Sequence, residues 1–204
     1  GAAAAGVTGL GGFGGAGAYS DGKFNITSEF GGWMTEYLDR DLVEDLIKYV
    51  DSINLQHGAS KVITDPTTLK VKEIEKKGMA VGLKLLRSKV RHLGTEENLE
   101  ILKRIYKTLE DKIDMKYKTE VTDLLVENGI VKGVKFNGDT ANAKKVVIVP
   151  GRDGSSWLKQ ICKKYDIPSK ANQVDIGVRV ETNNEIMEEI NEHLYEGKFI
   201  FRAS

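Results

Sequence analysis

Glycine clustering gives the first indication of chemistry in this sequence, because 11 of the 22 glycines lie within residues 1–32. Two overlapping GxGxxG patterns lie within residues 9–17, and a GxxxxGK pattern spans Gly17 to Lys23. Loops of this kind expose backbone N–H groups that bind the phosphates of nucleotides. The spacing therefore raises two hypotheses, a dinucleotide-binding fingerprint and a P-loop.

The sequence that flanks these glycines fits neither phosphate motif. A dinucleotide fingerprint needs an apolar strand before it and a helix after it. Here AAAAGVT does not have the composition of a strand, and AYSDGKFN does not open a helix. A P-loop needs Ser or Thr after Lys23, where Phe24 stands instead. A nucleoside-triphosphate enzyme that uses Gly17 to Lys23 is therefore kept only as a third hypothesis.

Two residues are candidates for catalysis, Lys23 and His92. His92 precedes a predicted helix N-terminus and could act as an acid or base, with a surface or capping role as the alternative. The three histidines have no metal-ligand spacing, and Cys162 is the single cysteine. We therefore expect no metal site, no internal disulfide, and a reducing, cytoplasmic setting.

The overall composition is that of a soluble globular protein. There are 30 basic and 30 acidic residues among 204, so the formal net charge is zero, and 40% of the residues are hydrophobic. This balance gives no global attraction to nucleic acid or to an anionic membrane. No apolar run approaches the ~20 residues that cross a bilayer. We expect a small-molecule substrate, with neither nucleic acid nor membrane as a partner.

The elements that must position these residues follow from the hydrophobic periodicity. Asp65 and Pro66 are the predicted first residues of one helix, and Ser155 or Ser156 the predicted cap of another. Asn-Gly pairs at 128–129 and 137–138 predict the turns of a β-meander. The periodicity predicts helices at 41–56, 65–78, 95–109, from 155 onward and 183–196. It predicts strands at 83–93, within the run 113–151, which ends in a strand at 145–149, at 174–180 and from 198. The continuously apolar strand at 145–149 is expected in the centre of a sheet.

Several motifs together resemble a known family. These are GFGGAGAYSDGKFNIT followed by EFGGW, then KVRHLGTEEN, the run TEV, ENGIVKGV and KKVVIVPGR, and finally VDIGVRVE. From about Gly11 to Arg202 the sequence resembles the uncharacterised FAD-dependent dehydrogenases, which belong to the FAD oxidoreductases with a glutathione-reductase-like nucleotide fold. The resemblance implies that the ADP-binding βαβ unit precedes this segment, so that the chain is an internal fragment that binds FAD poorly by itself.

The resemblance also implies which residues contact the cofactor. The glycine loop would bring backbone against the pyrophosphate and the isoalloxazine, and Lys23 would favour negative charge on the reduced flavin. Val121 would contact the adenine, with an ordinary core position as the alternative. Val149-Pro150-Gly151 stands where related enzymes have Ala-Thr-Gly. The implied FAD contacts are Gly12, Gly14, Gly15, Gly17, Ser20, Asp21, Gly22, Lys23, Val121, Pro150 and Gly151.

The expected fold class is α+β or α/β, a partial FAD-dependent oxidoreductase fold. Residues 1–6 would be a tag, linker or stand-in, 7–32 a flavin-facing loop, 33–111 a mainly helical substrate-domain segment, and 112–204 a β-rich part of the FAD domain. The implied activity is hydride transfer through FAD between an organic substrate and NAD(P). The alternative is a non-catalytic α+β ligand-binding or interaction module in which the glycine segment is only a linker.

Overall fold

The computed structural model describes residues 13–64, 66–171 and 174–202, and these residues form an α+β fold. The described residues contain five α-helices and three small antiparallel sheets. In chain order the elements are a 3₁₀ turn Gly15–Tyr19, β1 Lys23–Ile26, a 3₁₀ turn Met34–Glu36, α1 Arg40–Gln56, α2 Leu69–Ala80, β2 Leu83–Leu86, β3 Lys89–His92, α3 Thr95–Leu109, β4 Val121–Glu127, β5 Ile130–Phe136, β6 Asp139–Asn142, α4 Ser155–Lys164, α5 Asn184–His193 and β7 Lys198–Phe201.

The chain divides into two compact units. The meander unit comprises residues up to Tyr19 together with Leu102–Ile176, and the helical unit comprises Ser20–Ile101 together with residues from Gly177 onward. The division falls within α3.

The helical unit has a core between α2 and the β2–β7 sheet. Val71 and Ile74 of α2 pack with Leu85 of β2 and with Leu194, which follows α5. Leu85 lies opposite Phe199 in the antiparallel β2–β7 pair, and the Phe199 ring packs against the same cluster. Residues of two distant segments therefore form one apolar core.

The start of α2 differs from the prediction. Asp65 lies outside the described residues, and the helix begins at Leu69 instead of next to Pro66. The Thr68 hydroxyl accepts a hydrogen bond from Val71 N at 3.3 Å, which satisfies one of the N–H groups left open by the first turn. The side chain that can cap the helix therefore decides where it begins.

The strand predicted at 83–93 is wrong as a single element. The structure contains β2 and β3 there, and they belong to different sheets, β2 with β7 and β3 with β1. Arg91 of β3 lies opposite Phe24 of β1, and its side chain is 2% exposed. Its guanidinium donates to both Asp51 carboxylate oxygens, at 2.6 and 2.7 Å, and to the Ser60 carbonyl. This buried ion pair fixes α1 against the β1–β3 sheet.

The meander unit confirms the predicted β-meander. Strands β4, β5 and β6 pair in order, and both connecting Asn-Gly pairs have positive φ at each residue. Such dihedrals are those of the tight hairpin turns that Asn-Gly favours. Helix α4 packs beside β4, where Trp157 Nε1 donates to the Thr122 carbonyl at 3.0 Å. The Lys164 ammonium and the Tyr165 hydroxyl both bond to the Asp123 carboxylate.

The N-terminus of α4 also differs from the prediction. Gly154 occupies the cap position with no side-chain hydrogen bond, so neither Ser155 nor Ser156 is the cap. A Cβ on Gly154 would lie 2.3 Å from Pro150 Cβ. The close approach of Pro150 therefore requires glycine at the cap and displaces the serines into the helix.

Two predicted strands are not formed among the described residues. The segments 145–149 and 174–180 have no strand assignment, and Val147, Val149 and Val178 are 82%, 84% and 88% exposed. The central position predicted for 145–149 is therefore wrong in this fold. An apolar run shows that a segment would be stabilised by burial. It does not show that a neighbouring strand is present to form the hydrogen bonds that a strand requires.

We predict that the Asp51–Arg91 pair cannot lose one partner without a large loss of stability. Arg91→Met should lower the free energy of unfolding by about 3–5 kcal/mol, because it leaves the Asp51 charge buried and unpaired. The double variant Asp51→Leu/Arg91→Met should recover most of this loss. Urea denaturation followed by circular dichroism measures both. The control Arg87→Met breaks the more exposed pair with Glu75 and should cost about 1 kcal/mol. Equal losses for Arg91→Met and Arg87→Met would contradict the prediction.

We predict an acid-sensitive contribution to stability from Asp123. The hydrogen bond from Lys164 is the main cause that lowers the pKa of Asp123, and the Tyr165 hydroxyl adds to it. A carboxyl whose pKa is lower in the folded state stabilises the fold above its ordinary pKa and loses this effect as pH falls. Protonation of Asp123 should therefore lower the free energy of unfolding by about 1 kcal/mol between pH 5 and 2.5. Asp123→Asn should flatten that part of the profile, whereas Asp111→Asn, in an exposed position after α3, should leave it unchanged.

Candidate functional site

The site residues predicted from sequence fall into both units. Gly12 lies outside the described residues. Gly14, Gly15, Gly17, Val121, Pro150 and Gly151 belong to the meander unit, whereas Ser20, Asp21, Gly22, Lys23 and His92 belong to the helical unit. The structure brings together the members of the second group, in a polar cluster at one end of the β1–β3 sheet.

Lys23 and His92, the two catalytic candidates, are direct cross-strand neighbours. They are paired in the antiparallel register of β1 and β3. The pairing continues beyond the strands, since Gly94 N donates to the Asp21 carbonyl at 2.9 Å and Leu93 N to the Gly22 carbonyl at 3.1 Å. Neighbours in this register have side chains on the same face of the sheet. The amine and the imidazole therefore share one surface.

Lys23 is held by an ion pair and is not a solvated side chain. Its Nζ lies 2.5 Å from Glu196 Oε2, and the lysine side chain is partly buried while the glutamate is more exposed. Glu196 lies between α5 and β7. No sequence pattern points to Glu196, because a single glutamate between two elements has no diagnostic spacing.

Tyr195 and Asp21 complete the polar cluster, which we define as Asp21, Lys23, His92, Tyr195 and Glu196. The Tyr195 hydroxyl donates to Asp21 Oδ2 at 3.4 Å, and its ring lies 4.4 Å from the His92 ring, centroid to centroid. Burial, followed by the Asp21 carboxylate, raises the pKa of Tyr195. His92 Nε2 is 3.9 Å from Asp21 Oδ2, so a protonated imidazole would have a carboxylate beside it. The cluster therefore brings an amine, an imidazole, a phenol and two carboxylates together.

Gly22 fixes the backbone beside the cluster. Its φ is +67°, and a Cβ there would lie 2.9 Å from Asn98 Cβ and 3.0 Å from Leu93 Cβ. Its N–H donates to Ser20 Oγ at 3.2 Å. Glycine is therefore required at this position by packing and by backbone conformation, with its N–H already bound within the loop.

The GxxxxGK segment does not have the geometry of a P-loop. Gly17 lies in a 3₁₀ turn and Lys23 is the first residue of β1. A P-loop lies between a strand and a helix, and its lysine opens that helix toward the phosphates. The strand conformation at Lys23 removes the support for a nucleoside-triphosphate site at this segment.

The first part of the glycine loop packs within the meander unit. A Cβ on Gly14, where φ is +88°, would lie 3.1 Å from Leu102 Cδ1. Phe13 makes an edge-to-face contact with Tyr106, with ring centroids 5.3 Å apart. Both partners belong to α3. Residues 13–19 therefore have a defined apolar contact, which a flexible linker would not need.

The remaining predicted contacts have structural duties of their own. Val121 opens β4 and pairs with Phe136. Gly151 has φ +70° and open space around its Cα, which is the pattern of a turn glycine. Pro150 packs against Gly154. Each of these positions is explained by local structure whether or not a cofactor is bound.

Comparison with models of protein families and with curated proteins finds no match to this chain. No helix in the described part of the chain has the length and apolar character that crossing a membrane requires. Function must therefore be argued from the polar cluster and from the resemblance in the sequence.

We predict that Gly22 tolerates no side chain. Gly22→Ala should lower the free energy of unfolding by about 3 kcal/mol, because the left-handed backbone and the contacts with Asn98 and Leu93 both oppose a methyl group. The matched control is Gly138→Ala, at a position with φ +82° and open space, which should cost about 1 kcal/mol. Urea titration of both variants tests the difference. Similar losses in the two variants would show that the conformation of Gly22 matters and the close packing does not.

Proposed function

We propose that this chain is part of a flavoprotein oxidoreductase that transfers hydride between an organic substrate and a nicotinamide through FAD. The observation that carries the proposal is the pairing of Lys23 with His92 beside Gly22. Both residues were selected from the sequence as catalytic candidates, and their side chains lie on one face at the end of the glycine loop. FAD, when bound, would supply the hydride-accepting ring, and the protein would supply orientation and charge.

The polar cluster has side chains of the types that a flavin site uses for charge and for proton transfer. The Lys23 ammonium would favour negative charge on a reduced ring. It pairs with Glu196, so it would interact with both the glutamate and the ring. His92 would hold or release a proton at Nε2, which lies 3.9 Å from the Asp21 carboxylate. Tyr195 would keep its phenol neutral and able to donate, since burial raises its pKa.

The exposed apolar segment 145–149 also supports the proposal. Its sequence, KVVIV, is typical of a strand buried on both faces of a parallel sheet. Val147 and Val149 are instead almost fully exposed. A glutathione-reductase-like nucleotide domain contains a parallel sheet, and a strand from such a domain beside residues 145–149 would bury these valines.

A specific observation favours the alternative, a non-catalytic α+β module. Lys23 pairs with Glu196, and Asp21 accepts a hydrogen bond from Tyr195. The only role of such a network could be to hold the loop after α5 against the β1–β3 sheet. In that case the cluster would be structural and would need no ligand.

The protein expressed from its complete open reading frame distinguishes the two functions. We expect it to carry FAD, visible as flavin absorbance after purification. His92→Asn should slow flavin reduction by its substrate about 10²-fold, without loss of bound FAD, because a general acid or base is removed. His193→Asn, near the end of α5, is the control and should keep the wild-type rate.

Limited proteolysis gives a second readout that does not need the substrate. Cleavage within residues 13–32 should slow when FAD is added to the intact protein, because a flavin-contacting loop gains protection. An intact protein without flavin absorbance and with FAD-independent cleavage would refute the flavoprotein proposal and support the alternative module.

A further inference from the structure

An open strand edge lines an apolar cleft of the helical unit. The cleft has a volume of about 400 Å³ and is bordered by six consecutive residues, 23–28, by the loop 30–35 and by α1. Four of these residues, 23–26, form β1, and because the side chains of a strand alternate between its two faces, consecutive strand residues border one cleft when that cleft runs along the strand edge. The edge in question is that of β1, whose other edge pairs with β3.

The hydrogen-bond register shows which groups of β1 face this edge. Leu93 N donates to the Gly22 carbonyl, so in antiparallel alternation Gly22 and Phe24 point toward β3. Lys23 and Asn25 then point away from it. Val90, the cross-strand partner of Asn25, agrees with this alternation, because its N–H donates to Thr64 Oγ1 and its carbonyl accepts from Thr64 N, away from β1. The N–H and C=O groups of Lys23 and Asn25 therefore line the open edge.

Asn25 has a further unmet group. Its side-chain Oδ1 is buried and has no hydrogen-bond partner among the described residues. A buried acceptor without a partner costs about 1–3 kcal/mol. This part of β1 therefore contains an unsatisfied polar atom among the described residues.

The floor of the cleft is apolar and partly exposed. It is formed by α1, where Leu46 is 41% and Val50 53% exposed. The β1 face toward α1 carries Phe24, the neighbour of the buried Arg91. An occupant of the cleft must therefore offer backbone hydrogen bonds along one side and apolar side chains toward α1.

The chain itself contains a segment of this chemistry. Residues 174–180 read VDIGVRV, with apolar side chains at every second position, and they are exposed and outside any strand of the described fold. All four apolar side chains of this segment would lie on one face of a strand. Its other face would carry Asp175 and Arg179, matching the polar β1 face that carries Lys23.

We propose that two copies of this chain associate by strand addition, with residues 174–180 of one copy lying in the cleft of the other and pairing with the open edge of β1. The exchange is reciprocal, as a two-fold dimer requires, because every copy has both the cleft and the segment. Each pairing buries Leu46 and Val50 under the apolar face of the segment and supplies hydrogen bonds to Lys23 and Asn25. This proposal does not depend on the flavoprotein proposal.

Sedimentation velocity on the full chain tests the dimer. The wild type should sediment as a dimer that dissociates on dilution. Val178→Asp, in the segment, and Leu46→Asp, on the cleft floor, should each raise the dissociation constant at least tenfold, since either places a carboxylate in an apolar interface. Both residues are exposed in the single chain, so circular dichroism should show an unchanged fold.

Matched controls and a mixing experiment make the test specific. Leu42→Asp, on the same helix at 48% exposure and outside the cleft, and Val147→Asp, in the other exposed apolar segment, should dimerise as the wild type does. A mixture of Val178→Asp and Leu46→Asp chains should associate better than either alone, because it restores one intact cleft with one intact segment. A wild type that is monomeric at every concentration, an equal effect of Leu42→Asp, or no gain on mixing would overturn the proposal.

Discussion

The ion pair between Asp51 and Arg91 is the constraint on which the helical unit depends. Two charges removed from water must satisfy each other closely, and the planar guanidinium permits few arrangements when it binds both carboxylate oxygens. The pair therefore sets the distance and angle between α1 and the β1–β3 sheet. The Ser60 carbonyl, which also accepts from Arg91, ties in the chain that follows α1. The apolar cleft along the edge of β1 and the polar cluster at one end of the sheet both depend on this contact.

Elements with local causes were predictable from the sequence, and those with distant partners were not. The Asn-Gly turns and the meander follow from dihedral preferences of adjacent residues, and α1 and α3 from apolar spacing along one helix. The division of 83–93 into β2 and β3 was missed because β7 and β1, far away in sequence, determine it. The segments 145–149 and 174–180 were wrongly predicted as strands. Their strand patterns are strong, but a strand cannot form a ladder without a neighbour.

The candidate site shows the same limit. Lys23 and His92 could each be selected by type and context, but their proximity results from a strand register that single-sequence patterns do not specify. Tyr195 and Glu196 had no signal because they enter the polar cluster from a connection after α5. The two proposals, a flavin-linked reaction and a strand-exchanged dimer, meet at Lys23, whose side chain belongs to the polar cluster and whose backbone lines the open edge of β1.

Gly22 has a consequence for how this sheet can change. Strand side chains alternate, so a shift of β1 by one residue against β3 would move Phe24 into the place of Lys23 and turn the ammonium toward the apolar helix face. The same shift would place Lys23 where Gly22 lies, and Asn98 and Leu93 leave no space for a side chain there. A single missing methyl group therefore acts as a register lock. An insertion before β1 should therefore lengthen the loop without changing which residues of β1 face each side of the sheet.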